Sequence, residues 1–260
     1  MRAMKLALRL REYDWMAAVI ELVIVVAGVL IALQVSNWNQ DRMDHARADG
    51  YYRRLHAELI IDQHNIDNTL VFWKKVSDYG EVAIANGETG QRVDGSNWKT
   101  VLAWYQAGQM MPFELQDTTY TEMRDGGGLA LVEQEGLRKQ LADYYQLAGT
   151  GITASILHHD PAYRVQIRGL TPWHVQQYIW SRCFREGNAS NAANQELIDC
   201  PAPIGEDEAA AILAAYRHSD TLLQNLRSWM STLSVSKMVL LATRKDTANL
   251  AAEVQAARAR

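Results

Sequence analysis

The N-terminal part of the chain carries the feature that most restricts its fold, an apolar run of membrane-spanning length. From Trp15 to Val35 the sequence contains one charged side chain, Glu21, and one other strongly polar side chain, Gln34. At about 1.5 Å per residue, an α-helix of this length covers roughly 30 Å, the thickness of the hydrocarbon core of a bilayer. The sequence therefore predicts a transmembrane helix over residues 15–36, preceded by a basic tail of residues 1–14.

Two alternatives to a retained anchor are a cleaved export signal and a buried helix of a soluble domain. The residues that follow the apolar run, 32–36, show no small-x-small cleavage pattern, and the run is long for a signal peptide. A buried helix does not explain the basic residues before the run. Trp15 and Trp38 flank the predicted span, and tryptophan is enriched at both membrane interfaces. We therefore expect a single uncleaved span with an interfacial tryptophan at each end.

The orientation of the span depends on two further observations. Arginines also follow the span within twenty residues, but a short tail ahead of a signal-like helix favours a cytoplasmic N-terminus and an exported C-terminal part. Cys183 and Cys200 bracket a polar, loop-like segment, and a disulfide between them would suit an oxidising compartment. Two unrelated free thiols remain the alternative. We expect residues 37–260 to form an exported domain.

The exported domain is predicted to be helical. Proline is absent before Pro112, and apolar residues recur after the span at three-, four- and seven-residue steps, whereas charged residues such as Asp62 are assigned to the other faces. The residues of this repeat are Tyr52, Leu55, Leu59, Ile66, Leu70 and Trp73. A second repeat on an a/d seam consists of Leu223, Leu226, Met230, Leu233 and Leu240. We predict an all-α fold in which the transmembrane helix continues into an antiparallel helical bundle, with loops near residues 86–97 and 183–200.

Residues with metal-binding or catalytic chemistry are few. His158, His159 and Asp160 are neighbours, but adjacent side chains on a helix point about 100° apart, and no His-Glu-x-x-His pattern is present. They are weak metal candidates, and the main expectation is that Asp160 caps a new helix at Pro161. No catalytic residue, metal or cofactor is predicted. The net charge of −4 gives no reason to expect nucleic acid as a partner.

A glycine triplet at residues 126–128 marks a turn between two helices. It lacks the Gly-Lys-Ser/Thr of a phosphate-binding loop. Thr118 or Thr119 is predicted to cap the preceding helix, with Glu122 at the capping-box position. The inward-facing residues of the following helix are predicted to be Leu137, Leu141, Tyr144 and Tyr145.

Two segments carry a resemblance to a known family. The segment ELVIVVAGVLIALQVSNWNQDR, residues 21–42, resembles the N-terminal signature of the DUF6090 family, bacterial single-span membrane proteins of unknown function. The matching residues are Glu21, Gly28, Ala32, Leu33, Gln34, Trp38 and Asn39, whereas Ser36 and Gln40 depart from it. Residues 119–145 resemble a second segment of the family, with its glycine turn and closing Tyr-Tyr. The resemblance implies a bacterial inner-membrane location, and it implies no enzyme activity.

One face of the predicted span combines polar and small residues. At 100° per residue these positions fall within about 40° of one line along the helix. They are Ala17, Glu21, Gly28, Ala32 and Asn39. Gly28 and Ala32 form a small-xxx-small pair, which allows two helix backbones to approach closely. Either Glu21 snorkels to the cytoplasmic interface, or this face packs against a second copy or a partner membrane protein.

Two functional classes remain open at this point. The favoured class is a non-enzymatic sensor, scaffold or interaction module that presents a helical periplasmic domain from the lipid bilayer, as a homo-oligomer or with a partner membrane protein. The alternative is an envelope hydrolase or metal-dependent enzyme that uses the region His158–Asp160. The first is favoured because no catalytic constellation is visible in the sequence.

Overall fold

The described part of the chain is mainly helical. The computed structural model describes residues 2–111, 113, 115–150, 160–185 and 195–259, with side chains from residue 15 onward except 147–150. Within these residues lie α1 (Arg2–Thr89), α2 (Asn97–Gln106), α3 (Thr118–Asp125), α4 (Glu135–Thr150), α5 (Ala162–Leu170), α6 (Trp173–Arg182), α7 (Glu206–Arg217) and α8 (Leu222–Arg258). Two short strands, β1 (Phe184–Arg185) and β2 (Glu196–Leu197), pair antiparallel. The predicted all-α fold is confirmed.

The chain divides into two units, Met1–Tyr51 and Tyr52–Arg260. The first unit consists of helix, and its apolar side chains from Trp15 to Met43 are exposed, including Leu22, Ile24 and Leu30. In the part of the chain that the structure describes, this is the one helical stretch long and apolar enough to cross a membrane. By length and composition it meets the requirements of an anchor.

The second unit is organised around an antiparallel pair of helices. Ser77 of α1 is hydrogen-bonded to Lys237 of α8, and Asp67, earlier in α1, is hydrogen-bonded to Arg244, later in α8. The two helices therefore run in opposite directions. Lys237 donates to the Ser77 hydroxyl at 2.9 Å, and the Arg244 Nη2 donates to Asp67 at 3.0 Å. The side chains of both predicted apolar repeats are buried or partly buried between the helices. The spacing of apolar residues therefore predicts this pair correctly, and Leu137, Leu141, Tyr144 and Tyr145 of α4 are buried as expected.

Buried tryptophans fix the chain that follows α2. The Trp73 indole donates to the carbonyl of Met111 at 3.0 Å, and the Trp229 indole donates to the carbonyl of Ala107 at 2.8 Å. Carbonyls at the end of a helix have no partner within it, and a buried carbonyl without a partner is costly. The two indoles supply such partners while their rings fill the core.

Helix boundaries differ from the sequence predictions at two loops. The loop predicted near 86–97 begins later, because α1 continues to Thr89 and ends at Gly90, whose φ of +76° suits glycine. Ser96 then caps α2 by accepting from the backbone N–H of Lys99. The loop predicted at 183–200 contains the β1–β2 pair at its ends, and residues 186–194 lie outside the described part.

The predicted cap of α3 is wrong. Asp117 precedes the helix, and Thr118 is its first residue, without a side-chain cap. The backbone N–H and hydroxyl of Thr119 instead donate to the carboxylate of Glu58 on α1, at 3.1 and 2.6 Å. Glu122 forms an ion pair with Arg54 at 2.7 Å. Tertiary contacts with α1 thus replace the local capping box.

Two predictions for aspartates are also wrong. Asp160 does not cap α5, since Pro161 holds the N-cap position and Asp160 instead forms an ion pair with Arg164 at 3.1 Å. Asp62 does not face solvent; it has no exposed surface. Its position explains this, because it lies three residues after Leu59 and four before Ile66, which is the spacing of the buried seam.

Candidate ligand groove

The second unit contains a groove of about 560 Å³. Its walls are α1, the turn at Val93–Gly95, α2 and the segment 196–200. Ligand-binding pockets in proteins commonly measure about 300–1,000 Å³. The groove therefore has the size of a small-molecule site.

The α1 wall is built from residues on one face of the helix. Lys75, Tyr79 and Val82 line the groove, and their spacing of four and three residues places them along one side. Leu102 of α2 adds an apolar side chain to the lining. The local pattern fixes this wall, but the facing segment arrives from more than a hundred residues along the chain.

The facing wall is held by the cysteine pair. Cys183 and Cys200 lie at disulfide-bonding distance, with their Cα atoms 5.1 Å apart. The Gln106 side chain donates to the carbonyl of Cys183 at 3.0 Å, and the Trp98 indole donates to the carbonyl of Cys200 at 3.1 Å. Both ends of the segment are therefore anchored on α2, and the two residues of β2 line the groove.

Charged groups of both signs lie along the groove. The Lys75 ammonium contacts a Glu196 carboxylate oxygen at 3.3 Å and donates to the carbonyl of Leu197 at 3.0 Å. The Lys99 ammonium lies 2.7 Å from Asp94. The hydrogen bond to Asp94 and the negative charge of Asp94 raise the pKa of Lys99. Each of the two lysines therefore has a carboxylate beside it.

The Tyr79 hydroxyl adds a neutral donor. It donates to Asp199 at 3.1 Å. Burial raises the pKa of Tyr79 well above its ordinary value, and the negative charge of Asp199 adds to the shift. Tyr79 is therefore a phenol over the physiological range and cannot act as a base. The other groups along the groove are paired ions and apolar side chains.

Of the three weak metal candidates, the structure describes one, Asp160. His158 and His159 lie outside the described part, and Asp160 is paired with Arg164. A search of the residues that the structure does describe finds no group of three or more histidine, cysteine, aspartate or glutamate side chains that could hold a metal.

The predicted packing face of the span lies in the first unit. Each of its residues is exposed. They are Ala17, Glu21, Gly28, Ala32 and Asn39. A Cβ added at Gly28 would meet no other atom within 4 Å, so this surface is open to a second helix. Trp15 and Trp38, the predicted interfacial residues, are also exposed, at 70% and 64% of their surface.

The groove itself is not predicted from the sequence. The repeat that includes Trp73 identifies the buried side of α1, but it gives no hint that Lys75 and Tyr79 face another segment of the chain. The cysteine spacing is the one relevant sequence feature, because it indicates that residues 183–200 form a closed loop. The identity of the surface beneath that loop depends on the tertiary fold.

Comparison of the chain with protein-family models, with curated proteins and with solved structures found no match. The resemblance to the DUF6090 family therefore stays a prediction.

Proposed function

We propose that this protein is a non-enzymatic sensor or interaction module of the bacterial inner membrane, anchored by a single span, whose periplasmic helical domain binds a small molecule. The observation that carries the proposal is the groove of about 560 Å³ in the second unit, lined by paired charges and apolar side chains. A membrane anchor joined to a ligand-binding domain is the arrangement that a receptor or scaffold requires. The protein has no catalytic residues in this proposal.

The lining favours a small zwitterionic or amphiphilic ligand. Each lysine of the groove lies beside a carboxylate, at 3.3 Å for Lys75–Glu196 and at 2.7 Å for Lys99–Asp94. A ligand with both an anionic and a cationic group can exchange partners with such pairs without leaving an unpaired charge. An apolar body would lie on Val82 and Leu102.

Two observations support a periplasmic location for this domain. The first unit meets the length and composition of a span, and basic residues precede it. Cys183 and Cys200 lie at bonding distance, and structural disulfides persist in oxidising compartments such as the periplasm. The N-terminal tail is then cytoplasmic.

The span also takes part in association in this proposal. Gly28 and Ala32 permit close approach of a second helix, and Glu21 and Asn39 can form hydrogen bonds across it. A carboxylate inside the bilayer is costly and commonly has a partner. The partner is a second copy of the chain or another membrane protein.

Ligand-induced stabilisation of the full-length protein in mild detergent tests the groove. We would screen amino acids, dipeptides and small amphiphiles by thermal unfolding. At a concentration of about 100 Kd, a ligand of the folded state stabilises it by roughly 2.7 kcal/mol. Val82→Trp fills the groove and should abolish the response to any ligand found. Val71→Trp places the same side chain on α1 at an exposed position outside the groove lining, 64% exposed, and should leave it intact.

Two outcomes would contradict the proposal. One is that no member of the screen stabilises the wild-type protein. The other is that a ligand stabilises Val82→Trp as much as Val71→Trp, which would place its site elsewhere.

A further inference from the structure

Asp62 is a buried carboxyl that joins four parts of the second unit. One carboxyl oxygen, Oδ1, accepts from the backbone N–H of Gln116 at 2.8 Å, and Oδ2 accepts from the Tyr144 hydroxyl at 2.9 Å. The Tyr144 hydroxyl in turn accepts from the Thr247 hydroxyl at 3.2 Å. The carboxyl on α1 thus contacts the segment before α3 and also α4, and it reaches α8 through Tyr144.

The groups that face Asp62 are acidic or neutral. Glu58 lies one turn earlier on α1, and Asp117 lies in the segment before α3; both carry negative charge towards Asp62. From α4 come the phenols of Tyr144 and Tyr145, and α8 contributes the neutral Thr247. Among the described residues, no cation forms an ion pair with Asp62. Asp62 therefore lies close to two other carboxylates, and its hydrogen-bond donors among the described residues are neutral.

Tyr145 shows how tightly the cluster is closed. Its side chain is 5% exposed, and its ring stacks on that of Tyr120 with 4.3 Å between ring centroids. Its hydroxyl is buried without a hydrogen-bond partner among the described residues. Water therefore does not solvate this cluster freely, and an ionised carboxylate there loses hydration that two hydrogen bonds replace only in part.

The ionised and protonated forms of Asp62 differ in how well they fit this cluster. Burial is the main cause that raises the pKa of Asp62 from 3.8 to about 7, with Glu58 and Asp117 adding to it, whereas the bonds from Gln116 and Tyr144 lower it. Protonation removes the repulsion from the neighbouring carboxylates. With the proton on Oδ2, Oδ1 still accepts from Gln116, and the new O–H donates to the Tyr144 oxygen, which reverses the direction of that bond. The protonated form thus suits the closed arrangement, and the ionised form strains it.

We propose that Asp62 is a proton-operated latch that holds the chain from Gln116 through α4 against α1 and α8, closed when its carboxyl is protonated and loosened when it is ionised. The ligand of this site is the proton, and the latch is independent of the groove and of the membrane orientation. The pKa of Asp62 is higher in the closed state than in the open state. Protonation therefore stabilises the closed state fully when the pH is below the ordinary aspartate pKa, and this stabilisation is lost as the pH rises through the closed-state pKa. Opening should increase about tenfold per pH unit between roughly pH 4 and pH 7 and level off above.

Hydrogen exchange of the full-length protein in detergent tests the latch. Exchange of amides in residues 115–146 is measured by mass spectrometry from about pH 5 to pH 8 and corrected for the intrinsic pH dependence of exchange. Asp62→Asn keeps the shape of the side chain and cannot ionise. Asp143→Asn is the matched control, since Asp143 is exposed on α4 and its partner, Lys139, is 3.6 Å away.

We expect corrected exchange in the wild type and in Asp143→Asn to rise by more than tenfold between about pH 5 and pH 7 and then level off. In Asp62→Asn it should stay constant over the same range. The same rise in Asp62→Asn, or no rise in the wild type, would overturn the proposal.

A second measurement keeps the test decisive if Asp62→Asn does not fold. Infrared difference spectra of the wild-type protein report a protonated carboxyl through its carbonyl stretch as the pH is changed. We expect a buried carboxyl band that disappears with a midpoint near pH 7, in line with the Asp62 pKa of about 7. If all carboxyl bands have disappeared by about pH 5, where ordinary carboxylates are ionised, the latch does not exist.

Discussion

Reduction of the cysteine pair should destabilise the second unit by an amount that follows from its sequence separation. Cys183 and Cys200 are 17 residues apart. A bond that closes a loop of this size restricts the unfolded chain and contributes about 3 kcal/mol. The folded state should change little, because hydrogen bonds from Gln106 and Trp98 hold the two cysteine carbonyls on α2 whether or not the sulfurs are bonded. The predicted loss therefore comes mainly from the unfolded state.

The measurement is equilibrium unfolding by urea of the full-length protein in mild detergent, followed by tryptophan fluorescence with and without reductant. With a slope of roughly 2–3 kcal/mol per molar urea, a loss of 3 kcal/mol lowers the midpoint by about 1 M. The double variant Cys183→Ala and Cys200→Ala provides the control, since its midpoint should be low and insensitive to reductant. Equal midpoints for oxidised and reduced wild-type protein would refute the reasoning.

Three further predictions concern stability, association and topology. The unfolding free energy of the wild type should fall by up to about 4 kcal/mol between roughly pH 4 and pH 7.5 because the pKa of Asp62 is raised, and Asp62→Asn should remove that slope in urea titrations; an unchanged slope would assign it to other groups. Gly28→Ile should weaken association in a membrane crosslinking assay several-fold, whereas Ile24→Ala on a flanking face should not, and equal association of wild type and Gly28→Ile would exclude packing through this face. A reporter fused after residue 260 should be active only in the periplasm, and cytoplasmic activity would reverse the proposed orientation.

The helical architecture could be predicted from the sequence to a large extent. The apolar run of residues 15–35 has the length of a span, and the recurrence of apolar residues at three- and four-residue steps predicts the buried faces of α1 and α8. These properties depend on residues within one or two turns of each other, so they can be recognised from the sequence of a single helix. The helix break at Thr171–Pro172, between α5 and α6, is local in the same sense, since proline disfavours helix at the preceding residue.

Two of the mistaken predictions, the cap of α3 and the exposure of Asp62, share one cause. The cap expected at Thr118 or Thr119 is a local hydrogen-bond pattern, yet the hydroxyl of Thr119 donates to Glu58, 61 residues earlier in the chain. The spacing of Asp62 from Leu59 and Ile66 places it on the buried face of α1, but a charged side chain is ordinarily predicted to be exposed. Only the tertiary structure supplies the donors from Gln116 and Tyr144 that make its burial tolerable.

The sequence by itself determined the apolar helix of spanning length, the other helices and the faces that they bury, because these follow from the order of apolar and polar residues along one element. The tertiary structure alone decided the groove and the Asp62 cluster. In the groove, Lys75 meets Glu196 across 121 residues of chain, and in the cluster Asp62 meets Tyr144 across 82. A periodic pattern predicts that a helix face is buried, but it does not predict which segment of the chain packs on that face, since many segments could bury the same apolar area equally well. Sites formed between distant segments are therefore fixed only when the whole core packs.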